Sequence, residues 1–491
     1  MINNDHIELS EGKKKISEAM NRISQIRDKY IRKNRYYYKD MIKFLRFNIP
    51  ENSRVLEIGC GTGHLLNALK PSRGVGIDIS AGMITTAREK YPHLDFYRMD
   101  AEDIRLNETF DYVIISDSLG YCEDIQKAFE ELSKVVHPAS RIIITYHNFL
   151  WQPVLKMAEW VRLKMPQPRL NWLNIGDVKN LLYLGGFEII KIGRRFLFPK
   201  FFPVVSWFMN KYIAQLPLFN RLCITGFIIA RPARVPVFNR KENNNTTNAK
   251  DESSVSVIIP ARNEKGNIEN AIKRMPQLGT HTEIIFVEGH SKDDTLDEIK
   301  RVCETYRNEK DIKYAVQDGT GKADAVRKGF NMASGDILMI LDADLTVMPE
   351  DLPKFYNAIT KGKGEYINGS RLVYPMEKQA MRMLNVFGNK FFSIMFSWLL
   401  GQTLKDTLCG TKVISQKNWK KLEANRSYFG DFDPFGDFDL IFGAAKLNLK
   451  IVEIPIRYRA REYGETNISR FRHGWLLFKM VLFAMNKIKF I

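Results

Sequence analysis

Residues 337–345, ILMILDADL, run from an unbroken apolar stretch into two aspartates one residue apart. A short apolar run closed by a turn signal reads as a strand buried on both faces, as in a parallel sheet. Asp342 and Asp344 stand at its carboxyl end. Side chains two apart project the same way, into the crevice where open α/β sheets hold ligands. Two like charges side by side need a positive partner, and a divalent cation shared with phosphate oxygens supplies one. Asp342 and Asp344 are therefore candidate ligands of Mg²⁺ or Mn²⁺, positioned to neutralise a departing diphosphate.

The same strand signal recurs on both sides of the chain. VSVIIP, EIIFVEG and KYAVQD precede residue 337, and strand-like runs at Arg54–Ile58, Gly74–Ile77, Phe96–Met99, Tyr112–Ile115 and Arg141–Thr145 alternate with helical segments nearer the start. Such alternation specifies parallel sheets. Between the two series, residues 241–254, KENNNTTNAKDESS, hold one apolar residue and no periodicity, the composition of a flexible linker. We expect one domain over residues 1–240 and another over 255–491. A length of 491 residues exceeds what one core usually accommodates.

Charge is uneven. Of the net +18, residues 151–250 hold 16 Lys/Arg against 4 Asp/Glu, and residues 451–491 hold 8 against 3. Both stretches mix cations with Trp, Phe and Leu, as in RRFLFPKFFPVVSWFMNKY and RFRHGWLLFKMVLFAMNKIKF, which suits an anionic membrane surface. Nucleic acid is the weaker candidate partner, since no helix-turn-helix, RNA-motif or zinc-finger signature accompanies the charge. Five widely spaced cysteines without a CxxC pair argue against a disulfide framework or zinc site and fit a reducing cytosol. The polar opening residues carry no signal-peptide pattern. Phe391–Leu404, the longest uncharged apolar stretch, is too short to span a bilayer, so the expected location is cytoplasmic and peripheral.

VLEIGCGTG, residues 55–63, places Glu57, Gly59, Gly61 and Gly63 between a strand and a helix, where glycines let a ligand lie against bare main chain. The third glycine of the dinucleotide form would fall at position 64, which is histidine. With Asp78 ending the next strand, the pattern instead resembles class I S-adenosylmethionine-dependent methyltransferases over roughly residues 35–232. The resemblance implies a Rossmann-like domain that binds S-adenosylmethionine. Its glycine loop would cradle the methionine and ribose, Asp78 would take the ribose hydroxyls, Asp100 and Ala101 would border the adenine, and Asp117 would lie near the sulfonium. Tyr36, Tyr37, Tyr38 and His147 are acceptor contacts or packing residues. Methyl transfer rests mainly on positioning, so the motif requires no acid or base.

In the second half, VIIPARNE (257–264), EIIFVEGHSKDDT (283–295), GKADAVRKGF (321–330), LDADL, GSR (369–371) and DTLCGTK (406–412) follow one another in the order seen in family 2 inverting glycosyltransferases. The resemblance, to the dolichol- and polyprenyl-phosphate sugar transferase branch, spans about 253–491 and implies a GT-A domain. It places Pro260, Arg262, Asn263, Glu264, Glu288, Ser291, Asp318, Lys322, Asp342 and Arg371 around a nucleotide-diphosphate sugar. EGH departs from the branch's aspartate pair: Glu288 keeps one carboxylate and Gly289 removes the other. For the acceptor, FGDFDLIFGA offers Asp437, and IRYRAREYGETNISRFRHG offers Arg457, Arg459, Arg461, Arg470 and Arg472. A lipid phosphate is already ionised and needs clamping by cations, with Arg461 and Asp344 at the reacting centre and Asp437 orienting. A saccharide hydroxyl would instead make Asp437 the base, and the first domain would then be a cofactor-binding or docking module. Asn385, Asn389, Ser393 and Ser397 recur every four residues, predicting a helix with one polar stripe and a broad apolar face of Met381, Leu384, Phe391, Met395 and Trp398. A last helix presents Phe471, Trp475, Phe478, Leu482 and Met485 together. Such helices are buried in protein or lie in a membrane interface.

Overall fold

The structure, a computed structural model, describes residues 7–168, 171–233, 253–373, 383–430, 436–459, 461, 463 and 470–491, with the backbone alone at 383–387 and 470–473. It divides into two compact units, one chiefly residues 1–235 and the other 236–489. Most of the expected linker, residues 241–252, lies outside the described residues.

The first unit carries β1 Arg54–Ile58, β2 Arg73–Asp78, β3 Asp95–Arg98, β4 Phe110–Ser116, β5 Val136–His147, β6 Phe187–Arg195 and β7 Thr225–Pro232. They form one sheet in the order β3-β2-β1-β4-β5-β7-β6. β1 to β5 are parallel, and β7 runs antiparallel to both β5 and β6. The central strands are buried on both faces because helices cover each side, which is why they read as continuous apolar runs. The antiparallel edge went unread: its strands return through irregular chain and give no βα signal. Two helices, Glu11–Lys33 and Arg35–Asn48, precede β1. Ser10 caps the first, accepting from the Lys13 amide at 3.1 Å.

In the second unit, β8 Val255–Ala261, β9 Thr282–Glu288, β10 Asp311–Val316, β11 Ile337–Ile340, β12 Tyr366–Ser370, β13 Lys412–Ser415 and β14 Ile451–Pro455 form a second sheet. Its order is β10-β9-β8-β11-β13-β12-β14, with β13 antiparallel to β11 and β12. The buried strand expected at ILMI is β11, between β8 and β13. In both sheets the order reverses beside the first strand, between β1 and β4 and between β8 and β11, the place where open α/β sheets hold their ligands.

The helix Met383–Leu400 turns its polar stripe inward. Ser393 and Ser397 hydroxyls donate to the Leu404 carbonyl at 2.7 and 3.1 Å, and the Asn389 amide donates to Asp406 at 3.2 Å. Phe396, Leu399 and Leu400 are buried, whereas Phe391 and Ile394 are exposed. The last helix, Arg470–Ala484, buries Leu477, Met480 and Val481 and exposes Trp475, Phe478 and Leu482. The apolar faces are thus split: Met395, Trp398 and Met485 pack on the core, while Phe391, Trp475, Phe478 and Leu482 face outward. Met381 and the side chains of Leu384, Asn385 and Phe471 lie outside what is described. Among the described residues, no helix is long and apolar enough to cross a membrane.

Phe396 is fully buried and stacks on Phe438, ring centroids 5.1 Å apart, with Phe442 at 5.7 Å. Phe396→Ala leaves a cavity the helices cannot close and is expected to destabilise the second unit by about 3–5 kcal/mol. Urea unfolding of the full chain followed by mass-resolved hydrogen exchange checks this: the midpoint falls for second-unit peptides and stays put for first-unit ones.

Candidate functional site

Each unit has a site where its strand order reverses. In the first, β1 ends in the glycine loop, and Gly59, Gly61 and Gly63 all take positive φ. A Cβ on Gly61 would stand 2.7 Å from the Arg27 guanidinium, so only glycine leaves this space open. Asp78, ending β2, accepts from the Gly61 and Ser80 amides at 3.0 and 2.9 Å. Burial raises its carboxyl, opposed by those two donors and by Arg27. Glu57 accepts from the Leu66 amide at 3.1 Å, and burial pushes it up to about 8 against Arg27.

These groups line a cavity of about 430 Å³ together with Asp100, Ala101 and Asp117. Every expected cofactor residue but one is therefore gathered in it; Gly63 instead turns the chain into the next helix, where a Cβ would strike Phe96. Tyr37, Tyr38 and His147 also line the cavity, while Tyr36 packs against Phe196 and Phe201. Sequence reasoning missed Lys13 and Arg27, both from the first helix. Lys13 bridges Asp100 and Glu102, at 2.7 Å each. Arg27 is half-buried and lines the cavity, with its buried Nε unpartnered. A glycine cradle, a carboxylate at the end of β2 and a cation with an unpartnered Nε fit the polar parts of S-adenosylmethionine. No motif announces the two cations, which stand 46 and 32 residues before Gly59.

In the second unit, Asp342 and Asp344 follow β11. Lys322 Nζ lies 2.5 Å from Asp342, and a Cβ on Gly410 would overlap the Asp342 carboxylate. Burial works to raise Asp342, but Lys322, Lys412 and Arg371 outweigh it and hold the carboxyl below its ordinary range. Asp344 accepts from the Thr346 hydroxyl at 2.8 Å and from Arg461 at 2.7 Å. Arg461 also reaches Glu264 at 3.3 Å, and burial raises Glu264 to about 7 against that pairing. Asp437, opening the helix Asp437–Lys446, pairs with buried Lys412 at 2.9 Å. The Arg459 amide donates to the Thr346 carbonyl at 3.2 Å.

The remaining expected residues divide. Asn263 and Ser291 tie the loops after β8 and β9 together: the Asn263 amide donates to Ser291 Oγ at 3.0 Å, and the Ser291 amide to Glu288 at 2.6 Å. Arg371 forms a two-pronged pair with fully buried Asp406, at 2.7 and 2.8 Å. Asp318 is exposed and pairs with Lys328 at 2.6 Å. Pro260 is half-buried; Arg262 and Arg457 are exposed. The side chains of Arg470 and Arg472 lie outside the described residues. Lys412 and Asp406 were missed as site residues although both stand in DTLCGTK, because a motif does not tell which of its members pair. Among the described residues no three acidic, His or Cys side chains gather as a metal cage. Two hard carboxylates beside displaceable ammonium and guanidinium groups still fit a cation whose other ligands are phosphate and water.

One mixed sheet carries a glycine loop at its switch point and the other carries paired aspartates at its own, so the two candidate sites are of different kinds. Residues 30–192 match the methyltransferase domain family and residues 256–421 match Glycosyl transferase family 2. The chain carries a Rossmann-like S-adenosylmethionine-dependent methyltransferase domain and a GT-A glycosyltransferase domain. Curated relatives include a dolichol-phosphate mannosyltransferase of Pyrococcus furiosus, 38% identical over 24% of this chain and 33% of its own length. A UDP-N-acetylglucosamine–dolichyl-phosphate N-acetylglucosaminyltransferase of Methanococcus voltae is 26% identical over 48% of this chain and 97% of its own. The putative methyltransferase 235L of Invertebrate iridescent virus 6 is 28% identical over 27% of this chain and 54% of its own. The chain thus spans a third of the mannosyltransferase and about half of the viral protein.

Two outcomes are expected in the first unit. Asp78→Ala lowers S-adenosylmethionine affinity at least tenfold by calorimetry without altering nucleotide binding. Glu57 binds a proton more readily folded than unfolded, so between its ordinary value and about 8 rising pH removes stability. In Glu57→Gln, thermal unfolding of the first unit between pH 5 and 8.5 should lose that decline.

Proposed function

We propose that the chain is two enzymes joined through residues 241–254. The second unit inverts a sugar from a nucleotide diphosphate onto a polyprenyl phosphate, and the first methylates a molecule of the same pathway. The observation that carries the acceptor is the state of Asp437. An alcohol acceptor needs a carboxylate free to take its proton, and Asp437 is held by buried Lys412. A phosphate acceptor needs no proton removed and needs cations, and Arg461 stands at Asp344 with the Arg459 main chain against Thr346.

In this reading Asp342 and Asp344 hold Mg²⁺ or Mn²⁺, which supplies charge neutralisation for the leaving diphosphate. Lys322 and Lys412 keep Asp342 ionised. Asn263, Glu264, Glu288 and Ser291 shape the nucleotide side, with Pro260 and Arg262 beside them. Asp318 and Arg371 have other partners, so each must exchange a pair to touch the donor. Exposed Trp475, Phe478 and Leu482, with Lys479 over the Trp475 ring at 5.9 Å, give the unit a face for an anionic membrane surface, peripheral and on the cytoplasmic side.

Asp344→Asn should abolish chelator-sensitive sugar transfer and leave the fold intact. Arg461→Ala should lower transfer to a polyprenyl phosphate at least a hundredfold with nucleotide affinity changed less than threefold. Mass spectrometry of lipid and soluble products from a sugar-nucleotide mixture reads both. Glycosylation of a soluble saccharide as readily as of the lipid phosphate sinks the reading.

A further inference from the structure

The first unit's cavity also holds His147, which cofactor binding leaves unused, beside Asp117. Asp117 follows β4 in a left-handed conformation, φ 53°, unusual for a residue with a side chain. The Tyr37 hydroxyl donates to it at 2.6 Å and Thr145 Oγ1 at 3.2 Å. Burial and the Asp117 charge raise Tyr37 well above its ordinary value, so it acts as a fixed donor. His147 ends β5, and its Nδ1 is buried, without a hydrogen-bond partner, 4.0 Å from Asp117 Oδ1. The charged and titratable groups facing this ring are Asp117 after β4, Tyr37 from Arg35–Asn48, and Glu159 and Lys164 from the helix Gln152–Trp160 and the turn beyond it. Burial lowers the imidazole against the pull of Asp117, so the ring is neutral near pH 7 and has a nitrogen free to accept a proton.

The rest of the wall is of opposite character. Trp151, Val154, Met157, Val161 and Leu163 line it, and the last four are also exposed to solvent. Trp160 beside them is 84% exposed. Lys200 lines the same cavity, and the chain runs on from it into exposed Phe201 and Phe202. A base inside, an apolar mouth and a cation at that mouth describe an occupant with a hydroxyl, an apolar chain and a negative charge.

We propose that the methyl acceptor is a sugar hydroxyl of a polyprenyl-phosphate-linked saccharide, with His147 as general base and Asp117 as its positioning carboxylate. The choice of saccharide rests on the proposed activity of the second unit, whose product is of this class. A carboxylate acceptor needs no base and is repelled by Asp117. In the step, the hydroxyl proton passes to the imidazole as the oxygen bonds to the methyl carbon. The carbon–sulfur bond breaks with its electron pair returning to sulfur, and the imidazolium, facing Asp117, gives its proton to water.

The test supplies the acceptor ready-made, so it does not depend on sugar transfer by the second unit. Full chain is incubated with methyl-deuterated S-adenosylmethionine and a synthetic polyprenyl-phosphate hexose, with a nucleotide hexose and a methyl hexoside in parallel. One deuterated O-methyl ether on the lipid's hexose is expected, at a rate at least a hundredfold above the soluble sugars. His147→Asn should lower that rate at least a hundredfold while S-adenosylhomocysteine affinity stays within twofold by calorimetry. Asp117→Asn should move the acid limb of the rate profile to lower pH, a shift a merely structural role does not produce. Met157→Asp, on the exposed rim, should weaken binding of the lipid to the S-adenosylhomocysteine-loaded chain at least tenfold. An unmodified lipid, label on an amine or carboxylate, soluble sugars methylated as fast, or full activity in a folded His147→Asn chain would each overturn the proposal.

Discussion

The glycine loop of the first unit and the paired aspartates of the second both depend on a reversal of strand order among the parallel strands of a mixed sheet. Where β1 turns one way to β2 and β4 lies on the other side, no crossover helix covers the carboxyl edge, and the loops after those strands face a common crevice. β8 and β11 repeat the arrangement. The reversal costs little because the strands on either side remain buried on both faces. It also concentrates strained backbone: Asp117, Asn263 and Leu345 all take positive φ, each just beyond a strand at its reversal point.

A crevice at a sheet edge is a poor dielectric, and carboxylates placed there must be compensated. Both units compensate with cations from outside the motif that supplies the acid. Lys13 and Arg27 come from a helix before β1, and Arg461 from the chain after β14. Removing such a cation leaves a buried charge uncompensated, which costs more than the pair gains by forming. Arg461 shares itself between Asp344 and Glu264, so on the proposed reading a divalent cation entering at Asp344 would free a guanidinium beside the carboxylates. A metal-bound donor and an available arginine then occur together, which suits a reaction whose acceptor and leaving group are both anionic.

The parts legible in the sequence are those fixed by local geometry. Glycines at 59, 61 and 63 and aspartates at 342 and 344 are constrained by the turn each stands in, so their spacing survives as a motif. Pairings across the fold are not local. Nothing near Lys412 says that it meets Asp437, and Arg371 is one of many arginines until β12 brings it to Asp406. The strands β6, β7, β12 and β13 were missed for a different reason: antiparallel neighbours give no regular strand–helix alternation to read. The four-residue period at Asn389, Ser393 and Ser397 was read correctly, but period alone does not give direction. Capping the loop at Leu404 and supporting Asp406 turned that stripe inward and left Phe391 and Ile394 outside.

That inversion bears on how the two activities belong together. With the polar stripe spent on the protein's own loop, Phe391 and Ile394 are left to solvent, and on the proposed reading a lipid surface covers them. The first unit shows the same sign at Trp160, Phe201 and Phe202. On the proposed reading both units work on molecules held in one lipid surface, where reactants diffuse in two dimensions. Covalent linkage then raises the encounter rate of each site with the other's product without any fixed orientation between the units. A soluble sugar would leave the crevice into three dimensions and gain little from the fusion, so the exposed apolar rims and the joining of two transferases have one physical explanation.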